Sequence, residues 1–291
     1  MDIVTISNTL QRLGGIPLSY SKVKTLEACP RKYGLQYITK KDSTDLVSAE
    51  ELRARQEAAQ VGKFVHKVLE YCISRGKYYG FDEEAVDFDL TWHQVAKQMR
   101  LLKNEYDRAQ AIRYNTEQIL LRIVKMINTY RMEVIPEMRL MLNRGGEYTR
   151  NAKFNNRLLY GYLDFVGIKS NGKEAIILDY KTHGLSGDHI KAVEEQMMFY
   201  VYMLFMKYKG LELVQPGGVY IPDEAIRLCE PITKDSFYLL KNTFVSRLQK
   251  FSEILETCLD TKNFTAVKND LCNWCNYIDD CPEHKSKKKS V

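Results

Sequence analysis

An aspartate and a lysine two residues apart, Asp179 and Lys181, end the apolar run AIILDYKTH. Charge inside a strand costs free energy unless it is paired, hydrogen-bonded or bound to a metal. A second acid, Asp164, ends GYLD one strand earlier. Two carboxylates close together repel, which raises one pKa unless a cation sits between them. Hard oxygen donors with positions left for water and phosphate suit Mg²⁺ or Mn²⁺. Two readings are open: Lys181 bridges both acids in a structural ion network, or the pair carries metal-dependent chemistry.

Asn171-Gly172 between the two apolar runs is a strong hairpin signal. If these two residues form the turn, Ser170 opposes Lys173 and Asp164 falls directly opposite Asp179, on one face of the sheet. Lys181 projects to the same face. Ala175, Ile177, Val166 and Ile168 are apolar neighbours there, and Ile176, Leu178, Leu163 and Phe165 line the other face. Strands buried on both sides leave little reason for an ion network without function, which favours chemistry. In the next helical stretch Gln196 and Tyr200 are four apart and share a face, and His66 lies upstream in GKFVHKVLE. Both are also compatible with ordinary core positions.

The cysteines form a second constellation. Cys272, Cys275 and Cys281 crowd the C-terminal region as C-x2-C-x5-C-P, and Cys29 lies far upstream in EACPRKY. Four thiolates fit either Zn²⁺ or an iron-sulfur cluster. Cys72, Cys229 and Cys258 stand on apolar stretches and read as buried small hydrophobes.

These residues need elements to hold them. LSYSKVKTLEACPRKYGLQYI reads as one helix capped by Ser19 or Ser21. Residues 57 to 75 and about 90 to 133 repeat apolar positions at helical spacing, the second range as two or more helices. PEMRLML alternates; the hairpin comes next, then a long apolar helix from AVEEQMMFY, short strands at LVQPGGVYIP and EAIRLCE, and a helix over 233 to 260. The expected fold is α/β, a central mixed sheet flanked by helices.

The 291 residues, 45% apolar and 27% charged, are those of a globular protein. No stretch approaches a membrane span and no signal-peptide pattern opens the chain, so a cytoplasmic protein of a bacterium or a phage-infected cell is expected. The net charge of +6 is mild, but its placement is uneven. Lys22, Lys24, Arg31, Lys32, Lys40 and Lys41 face only Glu27, with Tyr20, Tyr33 and Tyr37 interleaved where they could stack on bases. A basic tail, expected to be unstructured, covers 285–291.

In chain order LSYSKVKTLEACPRKY, GKFVHKVLE, GYLD, LDYKT, QMMFY and CNWCNYIDDCP, spanning residues 18 to 282, resemble the RecB-like branch of the PD-(D/E)XK nucleases. The likeness is to its iron-sulfur members: CRISPR adaptation exonucleases, AddB-type repair nucleases and phage relatives. The resemblance implies one restriction-endonuclease-like domain over 1–291, with a helical insertion at about 76–133. It also implies an iron-sulfur clasp built from 18–38 and 264–284. Asp164, Asp179, His66 and the Tyr180 carbonyl would hold Mg²⁺ or Mn²⁺, and Lys181 would orient the attacking water and stabilise charge on phosphate. Gln196 and Tyr200 would position Lys181 and the DNA backbone, and Glu137 is a candidate first-strand acid. Cys29, Cys272, Cys275 and Cys281 would hold a [4Fe-4S] cluster.

The implied activity is a DNA exonuclease acting on single strands or ends, alone or with a recombination, helicase or CRISPR partner. A DNA-processing subunit with little activity of its own is the alternative. No G-x4-G-K-[ST] motif occurs in the sequence, so a motor would be a separate protein. A third reading, an inactive cluster-bearing scaffold, is disfavoured by the intact Asp164, Asp179 and Lys181.

Overall fold

The computed structural model describes residues 18–39, 49–82, 87–143, 157–270, 272, 275–278 and 281–285. The basic tail beyond Lys285, together with Lys40 and Lys41, lies outside these residues. The described chain runs α1 (Tyr20–Ala28), α2 (Pro30–Tyr33), a π-helical turn (Gly34–Ile38), α3 (Ala49–Tyr79), α4 (Phe88–Met99), α5 (Lys103–Gln110) and α6 (Arg113–Tyr130). Strands β1 (Glu133–Ile135), β2 (Met138–Asn143), β3 (Arg157–Leu163), β4 (Phe165–Ile168) and β5 (Glu174–Lys181) succeed them. Then come α7 (Gly187–Lys207), β6 (Leu213–Tyr220), β7 (Ala225–Leu228), β8 (Ile232–Thr233), α8 (Lys234–Asp260) and α9 (Pro282–Lys285). No helix among the described residues is long and apolar enough to cross a membrane.

The larger sheet has the order β1-β4-β5-β6-β7, with β8 also on β6. Among the described residues of this sheet only β5 and β6 pair in parallel; its other pairings are antiparallel. A parallel pair needs a crossover, and α7 provides it. The sheet is thus mixed, as expected, and β2 and β3 form a separate two-stranded sheet.

Three details depart from the sequence reading, each for a local reason. The N-terminal helix is not continuous: Ser19 caps α1, and Cys29 is extended (φ −161°, ψ 106°) before Pro30 opens α2. A residue before proline is pushed out of the helical region, and proline at the first helical position loses no hydrogen bond. The first apolar run of the hairpin, read from the sequence as one strand, is broken at Asp164, which separates β3 from β4. The hairpin turn is longer than two residues: Lys169 N donates to Glu174 O and Gly172 N to Lys169 O, while the Asn171 side chain accepts from Lys173 N. The register is nevertheless the expected one, with Phe165 opposite Leu178 and Ile168 opposite Ala175.

Residue contacts divide the chain into two compact units. One comprises 55–140 and 162–240. Its core joins Phe64, Val65, Val68 and Leu69 of α3 and Trp92 of α4 to Ile176, Leu178 and Tyr180 of β5. Period-two alternation sends those β5 residues to the α3 side. Ala175, Ile177 and Asp179 then point to the other face, where α7 lies against the strands, and all six are buried.

The other unit comprises 1–54, 141–161 and 241–291. Tyr160 N donates to Leu18 O, Arg31 N to Thr265 O and the Asn269 side chain to Ala28 O. Arg247 makes a two-bond pair with Glu27, both contacts 2.6 Å. Tyr33 is fully buried, edge-on to Phe251, so it cannot stack on a base as the sequence reading allowed. Burial also pushes its hydroxyl pKa well above the usual value. Lys22 sits over the rings of Tyr37 and Tyr160, and burial lowers its pKa.

Candidate active site

Asp179 is 5% exposed, at the end of β5 on the α7 face. Its Oδ1 accepts from Gln196 Nε2 at 2.9 Å. Its Oδ2 faces Lys181 Nζ at 2.5 Å as an ion pair, without a partner in good hydrogen-bond geometry. Gln196 uses its whole amide: Nε2 also donates to the Tyr200 hydroxyl at 3.0 Å, and Oε1 accepts from Lys181 Nζ at 3.3 Å. The i, i+4 spacing of Gln196 and Tyr200 on α7 makes this possible.

Asp164, placed at the break between β3 and β4, is freed from the ladder. Its Oδ2 accepts from Tyr180 N at 2.8 Å, and its Oδ1 meets His66 Nδ1 at 3.1 Å. The His66 ring stands edge-on to Tyr180, with centroids 5.6 Å apart. The sequence-derived residues therefore form two bonded groups that meet at the Asp179–Tyr180 peptide: His66, Asp164 and Tyr180, and Asp179, Lys181, Gln196 and Tyr200. Glu137 contributes no contact to it; it pairs with Arg139 at 3.5 Å.

Burial raises the Asp179 pKa to about 6, the Asp164 charge adds to that, and Lys181 and His66 oppose it. Burial works against the charged His66 ring, but the Asp164 carboxylate outweighs it and raises the pKa. The network is one of strained charge that a divalent cation would relieve. No three His, Cys, Asp or Glu side chains among the described residues form a ready metal cage. Mg²⁺ binds through one or two carboxylates and keeps several waters, and Asp164 and Asp179 are carboxylates of that kind. Asp179 Oδ2, buried and ion-paired to Lys181, is an oxygen donor of the kind such an ion takes.

Two glycines that the sequence reading passed over let the helices approach. Gly218 is opposite Asp179 in the β5–β6 register. A Cβ there would come within 3.1 Å of Val193 on α7, one turn before Gln196, and within 3.0 Å of the Tyr220 ring. Gly62, one turn before His66, would bring a Cβ within 3.3 Å of Thr182 Oγ1. The signal for the first was legible: consecutive glycines inside a strand mark close approach of another element.

In the other unit, Cys29, Cys272, Cys275 and Cys281 line one cavity of about 430 Å³. Backbone bonds Cys272 N→Asn269 O, Cys275 N→Cys272 O, Ile278 N→Cys275 O and Cys281 N→Ile278 O step the chain by three residues. That spacing stacks side chains on one side. Burial raises the Cys275 pKa, Lys32 and the Tyr277 backbone oppose it, and Cys29 and Cys272 add to it. Of the other cysteines, Cys72 and Cys258 are buried as expected, but Cys229 is only partly so.

Residues 17–282 match the PD-(D/E)XK nuclease superfamily. The chain belongs to that superfamily, whose members are hydrolytic nucleases using divalent metals such as Mg²⁺ or Mn²⁺. A crystal structure of a candidate exonuclease from Eubacterium rectale aligns at 13% identity and TM-score 0.45, covering 92% of this chain and 90% of that one. The protein SSO0001 aligns at 13% identity and TM-score 0.33, covering 79% and 96%. Neither reaches a TM-score of 0.5, so neither carries weight for the function of this chain. No curated protein matches.

Proposed function

We propose that this chain is a Mg²⁺- or Mn²⁺-dependent deoxyribonuclease that degrades DNA from an end, acting on single strands or frayed duplex. The observation that carries the reading is that Asp179, buried at the end of β5, is ion-paired to Lys181 and hydrogen-bonded to Gln196, while the half-buried Asp164 beside it bonds to Tyr180 N and His66. Asp164, Asp179, His66 and the Tyr180 carbonyl are the residues to hold the metal, which supplies a Lewis acid and an acidified water. Lys181 orients that water and places positive charge where the phosphate gains negative charge in the transition state. Gln196 fixes the Lys181 ammonium, and Tyr200 holds the second N–H of Gln196. His66 donates from Nδ1 to Asp164 and keeps its other ring nitrogen for the site.

The four cysteines belong, in this reading, to a [4Fe-4S] cluster that clasps α1 to the C-terminal segment. Cys29, Cys272, Cys275 and Cys281 on the wall of one cavity support a four-thiolate site, and the resemblance to iron-sulfur nucleases favours the cluster over Zn²⁺. End-labelled linear and closed circular single-stranded DNA are incubated with Mg²⁺ or Mn²⁺. Loss of the linear substrate alone is expected, and label position gives polarity. Cutting of the circle contradicts end dependence. Cleavage of neither by metal-loaded protein overturns the reading in favour of a partner-dependent subunit.

A further inference from the structure

Helix α3 carries His66 and continues past it to two tyrosines, Tyr78 and Tyr79, that are 82% and 76% exposed. Exposed phenols side by side have no packing role, yet these two line a cavity of about 260 Å³ with Tyr71, Arg75, Thr91 and Gln94. Arg75 Nε is buried there and meets no hydrogen-bond partner among the described residues. Tyr71, Arg75 and Tyr78 are spaced by four and three, hence on one face of α3. The stripe extends back to Lys67, whose ammonium lies 4.7 Å from the centre of the Tyr71 ring. Lys67 directly follows His66. From His66 to Tyr78 the helix rises about 18 Å, so the stripe leads away from the acids along one element.

We propose that this cavity on α3 and α4 binds a single-stranded segment of DNA, with unpaired bases stacked on Tyr71, Tyr78 and Tyr79 and a phosphate on Arg75. The proposal rests on the nuclease reading and names the form of substrate that the site receives. Aromatic rings, two of them largely exposed, beside a guanidinium whose Nε is buried and unpartnered among the described residues are the chemistry of strand binding without sequence preference. A guanidinium also offers the planar fork that a phosphate takes with two bonds. A base inside a duplex has no free face to offer, so the cavity selects unpaired DNA. The C-terminal end of a helix disfavours an anion. Arg75 and Lys77, both in the last turns of α3, counter that field. Asp87, on the neighbouring segment, is committed to capping Leu90 N of α4.

The test uses the full chain in EDTA, so that binding is read without turnover. Fluorescence anisotropy follows a labelled single-stranded oligonucleotide and its duplex. The double substitution Tyr78→Ala/Tyr79→Ala weakens single-strand binding about tenfold and duplex binding less than about twofold. Tyr78→Phe/Tyr79→Phe restores the single-strand affinity, because stacking needs only the ring. Arg75→Gln lowers the slope of log affinity against log salt by about 0.7. Tyr114→Ala, at a tyrosine 63% exposed on α6, is the control and changes neither. Unchanged single-strand affinity in the alanine pair overturns the inference, as does a phenylalanine pair as weak as the alanine pair. The nuclease reading is judged separately, by whether the wild-type chain cleaves single-stranded DNA with Mn²⁺: no cleavage fails the nuclease assignment, whatever the anisotropy of the tyrosine variants shows.

Discussion

Gln196 on α7 donates to Asp179 Oδ1 at 2.9 Å while accepting from Lys181, the residue that is ion-paired to the other oxygen of the same carboxylate. One amide thus sets the distance between the buried acid and its counter-charge. Replacing it with leucine leaves an Asp179 oxygen unpaired in a desolvated site. Gln196→Leu is expected to cost about 1–3 kcal/mol of stability, seen as a lower Tm, and to slow cleavage at least about tenfold. Wild-type rates in a destabilised Gln196→Leu protein would show that the amide serves folding alone.

The approach of α7 to β6 is equally specific. Gly218→Val puts branched carbon where even a Cβ meets Val193 at 3.1 Å, and overpacking of that kind costs about 1–3 kcal/mol. Because the displaced helix carries Gln196 and Tyr200, the cleavage rate falls with it. Gly210→Ala, where a Cβ meets nothing within 4 Å, is the matched control with unchanged Tm. Thermal melts and initial rates on the two variants settle the comparison.

Proton linkage gives a signature of the acid pair. The folded chain raises the Asp179 pKa from 3.8 to about 6. Between those values it binds more protons than the unfolded chain, and the metal-free protein loses stability as pH rises through that window. His66, also raised, adds stability that is present below 6.5 and is lost as pH climbs through its folded value. Metal binding needs both groups deprotonated, so the Tm gained on adding Mn²⁺ grows from about pH 5 to about pH 8. Melting curves with and without Mn²⁺ across that range read it directly. A gain independent of pH, or one that survives in Asp179→Asn, speaks against Asp179 as a ligand.

The cysteine cavity makes a compositional prediction. Protein purified without oxygen carries about four irons per chain and no stoichiometric zinc. Cys272→Ser and Cys29→Ser each lose the iron and its visible absorbance and lower the Tm. Elemental analysis showing one zinc would replace the cluster with a mononuclear site.

Much of this site was legible because its parts obey strong local rules. The Asn171-Gly172 signal and the alternation of both strands placed Asp164 near Asp179, and the register survived although the turn itself is longer. The i, i+4 pair Gln196–Tyr200 came from helical spacing. Other features needed tertiary information. Asp164 interrupts a run of strand formers that nothing local breaks, and only pairing with two different sheets shows why. His66 meets Asp164 across 98 positions of sequence, a distance no periodicity can bridge. The kink at Cys29-Pro30 was readable from proline geometry and was passed over in favour of an unbroken helix. Tyr33 read as a surface aromatic because its charged neighbours masked a residue that is wholly buried.

In the proposed mechanism Asp179 holds the metal and Lys181 acts on the phosphate. The most direct test of those two roles measures Mn²⁺ binding by calorimetry and DNA cleavage together on Asp179→Asn and Lys181→Ala. Asp179→Asn is predicted to lose both Mn²⁺ binding and cleavage. Lys181→Ala is predicted to bind Mn²⁺ and cleave at least about 100-fold more slowly. Full Mn²⁺ binding by Asp179→Asn, or undiminished cleavage by Lys181→Ala, would contradict the mechanism.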